Sequence, residues 1–288
     1  PSVSDLRQRA SQFETTRILD RNGNLLYEIL DPSAGRRTYV SLNHISPNLL
    51  AATIATEDKD FYSHPGFDPI AILRALWQNL SSGETVSGAS TITQQLARAV
   101  LFTPEERDQR SYRRKIREVI LAAEIERRYS KDQILELYLN EIYYGNLAYG
   151  VEAAAETYFN KSADQLSLGE AAFLAGLPQA PSIYDIYTNR QVTLGRFQQV
   201  LVLMYQLSQE RHCIYVSNRP GTPVCVEVTD GAQAIQEMDA YTFSTPTVDM
   251  RYPHWVEYIR QQLEARFDPQ RIYRSGFTVH TTLDPILQ

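Results

Sequence analysis

Helical spacing of apolar residues dominates the middle of this chain. Leu49, Leu50, Ile54 and Phe61 fall on one stripe; Ser46-Pro47 opens it with a cap and a first-turn proline, and Pro65-Gly66 closes it. Asp68-Pro69 begins a second helix carrying Ile72, Leu73, Leu76, Trp77 and Leu80. A small, Gly/Ser-rich loop follows over 81–90. Helices are then predicted over Thr91–Phe102 and Ser111–Tyr129, from Lys131 behind a Ser130 cap, and over 148–160, 167–177 and about 189–207. The two ends differ. Residues 4–14 suggest a short polar helix, Asn22-Gly23 between apolar runs predicts a hairpin from Ile18 to Ile29, and 31–42 is polar and loop-like. After Leu207, β-prone runs around Cys213 and Cys225 predict a second hairpin turning near Asn218–Gly221. Residues 230–250 read as irregular around a short Ala-rich helix, Trp255–Phe267 as a helix, and Gly276–Pro285 as a strand and turn. The expected fold class is mainly α with small β elements. Its expected units are 1–42 (helix and hairpin), 43–207 (the helical body), 208–250 (an insertion with the cysteine hairpin) and 251–288.

A net charge of -6 gives no reason to expect nucleic acid as a partner. Local charge runs against that total, because basic residues outnumber acidic ones from Arg98 to Lys131. No apolar run reaches the ~18 residues of a membrane span, and no cleavable leader is visible. Two cysteines in an otherwise cysteine-free chain, Cys213 and Cys225, either form a disulfide across the second hairpin or pack as two buried thiols; their closeness favours the bridge.

Three blocks carry candidate chemistry. The first is Glu57-Asp58-Lys59-Asp60-Phe61-Tyr62-Ser63-His64-Pro65-Gly66. Ala51, Ala52, Ala55 and Phe61 would crowd Glu57 into an apolar setting that raises a carboxyl pKa and suits a general acid or base. Asp58 and His64 are as readily explained by shaping the turn. The second block, Gly88 to Gln95, puts Ser90, Thr91, Gln94 and Gln95 at a helix N-terminus, where free N–H groups attract anions or hydroxyls simply cap. The third, Arg113-Arg114-Lys115-Ile116-Arg117-Glu118, is either an intrahelical salt-bridge face or a carboxylate among cations fit for a diphosphate and a metal. Arg110, Arg114 and Arg117 share one helical face; 114, 115 and 118 share an overlapping one.

These blocks, in this order, resemble the first three motifs of the family 51 peptidoglycan glycosyltransferases. Lys131–Asn140 resembles the fourth and Gly176–Ser182 falls where the fifth does, so the likeness runs from about Ser46 to Met204. The resemblance implies a lysozyme-like catalytic domain and an inverting polymerisation of lipid II onto a growing glycan strand. It assigns Glu57 as general base and Glu118 as the second essential acid, beside a divalent metal (Mg or Mn). It also implies substrate contacts from Arg74, Ser90, Thr91, Gln94, Gln95, Arg98, Arg110, Arg114, Lys115, Arg117 and Arg196, with Gln179 and Ser182 lining the cleft. Arg98 stands where the family often has Lys, and Ile183-Tyr184-Asp185-Ile186 departs from the family pattern. Glu57 and Glu118 are expected to face each other across one cleft, and Lys131–Asn140 to shape the core. The segment from Gly276 resembles the start of a linker to a transpeptidase domain, expected to pair with the N-terminal hairpin. The implied location is the outer face of the bacterial cytoplasmic membrane, with an anchor upstream of Pro1 and cell-wall proteins as partners. Disulfides persist there. A lysozyme-like lytic enzyme would share the fold but need no arginine-rich site. A non-catalytic glycan- or lipid-binding module would not need both glutamates.

Overall fold

The computed structural model describes residues 3, 6, 15–29, 35–67, 90–103, 106–107, 111–216, 223–244, 252–264, 266–267 and 277–285. Its helices are α1 (Pro47–Glu57), α2 (Ile92–Leu101), α3 (Tyr112–Arg128), α4 (Lys131–Glu141), α5 (Val151–Phe159), α6 (Leu168–Gly176), α7 (Arg190–Arg211), α8 (Val228–Ala240) and α9 (Pro253–Glu264). The strands are β1 (Thr16–Leu19), β2 (Leu25–Ile29), β3 (Arg36–Arg37), β4 (Ala148–Tyr149), β5 (Ile214–Tyr215), β6 (Pro223–Val224) and β7 (Thr278–His280). The fold is mainly α. The second expected helix, over 68–80, and most of residues 4–14 lie outside the described residues.

Two helices buried on nearly every face make the centre. In α1 every residue from Leu49 to Ala55 is buried, and in α6 every residue from Gly169 to Gly176. A helix without a polar stripe belongs in a core, and the alanines in both let the backbones approach. These two pack on each other and on α7, whose buried Thr193, Phe197, Val200, Leu201, Met204 and Leu207 keep helical spacing. On the other side, α2 packs between α3 and α4. In α4, Ile134, Leu135, Tyr138, Leu139 and Asn140 are buried behind a Ser130–Gln133 capping box, so the fourth motif builds the core.

Three local expectations need correction. The first helix stops at Glu57, and Phe61 lies in the turn beyond it, because the Asp58 side chain is drawn to another helix. The segment 31–42 is not all loop: β3 pairs in parallel with β4, and Leu42–His44 forms a 3-10 turn. The Ala-rich helix is longer than expected, and Ala234 and Met238 enter the main core. There Gly169 of α6 lies so close that a Cβ on it would stand 3.2 Å from Ala234 Cβ. The 208–250 segment is therefore packed into the helical body rather than appended to it.

The termini meet. β1 pairs antiparallel with β2 and parallel with β7, giving the order β2-β1-β7. Ile18, Leu26, Ile29, Val256 and Leu283 form a small core of their own beneath α9. Arg17 of β1 pairs with Glu28 of β2 at 3.2 Å and ties the sheet to the helical body through Glu156 of α5 at 3.4 Å. Cys213 and Cys225 are joined by a disulfide beside the two-stranded β5–β6 pair; the hairpin's turn lies outside the described residues.

Candidate active site

Glu57 is the last residue of α1 and emerges at the edge of the core. Its Oε2 accepts a 2.6 Å hydrogen bond from Gln95 Nε2 of α2. Its Oε1 is buried and has no hydrogen-bond partner among the described residues. Burial lifts this carboxyl above the ordinary range; the Gln95 bond and the charges of Arg196 and Arg98 pull it back, and Asp58 adds to the rise. A carboxyl held partly against ionisation, with one oxygen unengaged, is suited to accept a proton.

Residues 58–67, together with the start of α2, hold Glu57 and Gln95 in register. Asp58 Oδ2 accepts the Ile92 backbone N–H at 3.0 Å, a carboxylate set on the N-terminus of α2. Its Oδ1 meets His64 Nε2 at 2.8 Å, and His64 Nδ1 accepts from Gly66 N, which makes Nε2 the protonated nitrogen. Thr91 caps α2, accepting from Gln94 N at 3.2 Å and donating to Gly66 O at 2.6 Å. Gly66 is pressed against α3 at φ +88, where a Cβ would lie 2.6 Å from Glu126 Cγ. Lys131 reaches across from α4 to His64 O (2.6 Å) and Glu126 (2.7 Å). Asp58, His64 and Thr91 thus shape the scaffold, and both functions of the Thr91 hydroxyl are spent on it.

Glu118 belongs to α3, which packs on α2. It is 1% exposed, with Lys115 Nζ 3.2 Å from Oε2 and Arg114 Nε 3.5 Å from Oε1. Lys115 also donates to Ser90 Oγ at 2.7 Å and to Gln94 Oε1 at 2.9 Å. Burial lowers the Lys115 pKa, and Glu118 works against that fall. Gln94 and Gln95 are adjacent on α2, so they point about 100° apart. One serves Lys115 and Glu118, the other Glu57. Arg98 follows them by one turn and acts electrostatically on both Glu57 and Lys115. Among the described residues it forms no hydrogen bond or ion pair. Gln94 Nε2 is buried and has no hydrogen-bond partner among the described residues.

The structure therefore gathers Glu57, Gln94, Gln95, Arg98, Ser90, Arg114, Lys115 and Glu118 around α2, with Arg196 approaching Glu57 from α7. Arg117 is not part of this group. It pairs with Glu106 and its guanidinium sits 4.8 Å over the Phe102 ring. Arg74 and Arg110 lie outside the described residues. Gln179 accepts from Tyr184 OH at 3.3 Å, Arg196 lies 5.8 Å over the Tyr184 ring, and Asp185 closes its own turn through Tyr187 N and Thr188 Oγ1. Tyr138 was expected only to pack; its hydroxyl donates to Gln95 Oε1 at 3.3 Å. No periodicity argument could have found that bond.

A divalent ion needs several oxygen ligands. Glu118 has Oε1 free of hydrogen bonds but flanked by Arg114, and among the described residues no three His, Cys, Asp or Glu side chains gather. The described residues do not fit a metal held by the protein alone.

The family model described as "Transglycosylase" matches residues 22–205. The chain is 40% identical to penicillin-binding protein 1A of Escherichia coli (strain K12) over 283 residues, 98% of this chain and 30% of that protein. It is 36% identical to the protein of the same name from Vibrio cholerae, covering 100% of this chain and 32% of the relative. It is 45% identical to that of Aquifex aeolicus, covering 67% and 26%. The chain spans less than a third of the length of these curated relatives. The crystal structure of penicillin-binding protein 1A from Haemophilus influenzae superposes with a TM-score of 0.51 at 24% identity, over 93% of this chain and 27% of that one, a likeness of fold.

Proposed function

Because the chain belongs to the transglycosylase family, we propose that it is a peptidoglycan glycosyltransferase that polymerises lipid II, with Glu57 as its general base. The observation that carries this is the state of Glu57: one oxygen held by Gln95, the other buried and unengaged, and the acidity reduced by burial. Oε1 takes the proton of the acceptor sugar's 4-hydroxyl. The freed oxygen attacks the anomeric carbon of the donor as the bond from that carbon to the lipid diphosphate breaks. The diphosphate leaves with the bonding pair, and configuration at the carbon inverts.

The cations across α2 receive that charge. Arg98 is uncommitted among the described residues, and Lys115 and Arg114 stand on Glu118. Glu118 then has a definite job. A half-buried lysine tends to lose its proton, and the carboxylate beside it holds the ammonium charged and aimed. Preorganised cations of this kind stabilise a leaving anion without reorganising. In this reading Arg98, Arg114 and Lys115 supply the positive charge that meets the diphosphate. A lytic enzyme would gain nothing from such a cluster.

The substrates place the enzyme at the outer face of the cytoplasmic membrane, with lipid II, the growing strand and the membrane surface as partners. No helix of the described residues is long and apolar enough to cross a membrane. Polymerisation of labelled lipid II tests the assignment. Glu57→Gln keeps the side chain's shape and should lose ~10²–10⁴ of the rate, the usual worth of a general base. A folded variant with a tenth of the wild-type rate would remove Glu57 from the role.

A further inference from the structure

Glu57 has two oxygens, and only one is free to take a proton. What decides which one is a chain of two hydrogen bonds that begins on α4. Tyr138 is 1% exposed, and its hydroxyl donates to Gln95 Oε1 at 3.3 Å. An amide side chain can be flipped end for end with little change in shape. With its carbonyl occupied by a phenol hydroxyl, Gln95 must turn its NH₂ toward Glu57, where Nε2 donates to Oε2 at 2.6 Å. Flipped, it would set a carbonyl against a carboxylate, and the Tyr138 hydroxyl would turn from donor to acceptor.

From this geometry we infer that Tyr138 is a positioning residue for the transfer reaction: through Gln95 it fixes the orientation of Glu57 and leaves Oε1 as the oxygen that accepts the proton. The inference rests on Glu57 acting as the base. It adds a function to the fourth motif, whose other buried side chains pack in the core or, as Asn140 does, bond to the Val40 backbone. Tyr138 is held for the task by full burial in α4, which packs directly on α2. It is also close enough to Glu57 for their charges to interact.

Several described groups act on the Glu57 ionisation. Gln95 and Arg98 face it from α2, Arg196 from α7, Tyr138 from α4 and Tyr144 from the turn after α4, with Asp58 next in the chain. Asp58 is engaged by His64 and Ile92 N. Of these contacts the Gln95 bond is the direct hydrogen bond that favours the ionised form.

The test is the pH dependence of kcat/KM for lipid II polymerisation by the full chain. Gln95→Met removes the bond and should move the acidic limb up by half a pH unit or more. Tyr138→Phe, which frees the amide to flip, should move it the same way by a smaller amount. The double substitution should move it no further than Gln95→Met, since Tyr138 acts only through Gln95. A folded Tyr138→Phe protein with an unmoved limb overturns the inference, and so does full additivity in the double variant. A second readout needs no substitution of Tyr138: with ¹⁵N-labelled glutamine, the Gln95 side-chain amide should titrate with the same midpoint as the acidic limb, and a pH-independent amide overturns it. Persistence of an unchanged acidic limb in Glu57→Gln would instead remove Glu57 as the base, a failure distinct from that of the relay.

Discussion

Lys115→Met is the perturbation that most directly probes the Glu118 side of the site. Methionine keeps the unbranched apolar stem and deletes only the ammonium, which touches Glu118 Oε2 at 3.2 Å, Gln94 Oε1 at 2.9 Å and Ser90 Oγ at 2.7 Å. Stripping a partner from a buried ion pair costs about 3–5 kcal/mol, chiefly because the remaining charge is stranded. Glu118 is 1% exposed, so it meets that condition, but two features reduce the figure. Arg114 remains 3.5 Å from Oε1, and the Lys115 side chain is itself 34% exposed, so water can enter the space vacated. The expected loss is about 2–3 kcal/mol, read from urea unfolding followed by circular dichroism. Adding Glu118→Gln removes the stranded charge and should recover at least about 1 kcal/mol, a coupling that double-mutant cycles resolve. Stability and activity should part company here: polymerisation falls at least tenfold in both variants, because both lack the cation. A Lys115→Met protein within 0.5 kcal/mol of wild type would refute the argument that Lys115 holds Glu118. A double variant no more stable than the single one would do the same.

Three further outcomes follow from the same geometry. The folded-state pKa of Glu57 is raised above 4.5, so its ionisation disfavours the fold as pH rises through that raised value. Glu57→Gln should therefore be more stable than wild type at pH 7, with the advantage gone below about pH 4; melting temperatures at the two pH values check this, and an equal or lower value at pH 7 contradicts it. Arg114→Ala should cut polymerisation at least ~10-fold and Arg117→Ala less than ~3-fold, since a cation facing developing charge is worth far more than one on a surface pair; equal losses would return Arg117 to the site. Replacing both Cys213 and Cys225 by alanine should cost ~2–3 kcal/mol for so short a loop. It should also loosen the turn after Glu57, which leans on this region through Arg211–Asp60, Lys59–Glu210 and the Tyr62 hydroxyl on Val216 O; unfolding midpoints that ignore reductant would argue against it.

Much of this protein was legible in one dimension. Apolar spacing and caps placed most of the described helices to within a few residues, the Ala-rich α8 excepted, because a helix is closed by bonds between residues four apart and its buried face repeats at 3.6. The Asn22-Gly23 turn and the paired cysteines were legible for the same reason: their partners lie within about a dozen residues. Motif order pointed to the family and to both glutamates.

What one dimension could not supply is direction across packed elements. Arg114, Lys115 and Arg117 are near neighbours in sequence, yet the first two turn to Glu118 and the third to Glu106, a choice made by how α3 lies on α2 and on the chain around Phe102. Asp58 ends one helix in order to cap another that begins 34 residues later. The hydroxyl of Tyr138 reaches Gln95 across a separation of 43 residues, and only the packing of α4 on α2 sets their angle. Composition and periodicity report whether a side chain is buried; which atom of it meets which atom of its neighbour depends on helix rotation and offset, to which a hydrophobic pattern is blind. The sequence by itself determined the helices, the hairpins and the kit of residues. The tertiary structure alone decided that the two glutamines of α2 would divide the site, one serving Glu57 and the other Lys115 and Glu118.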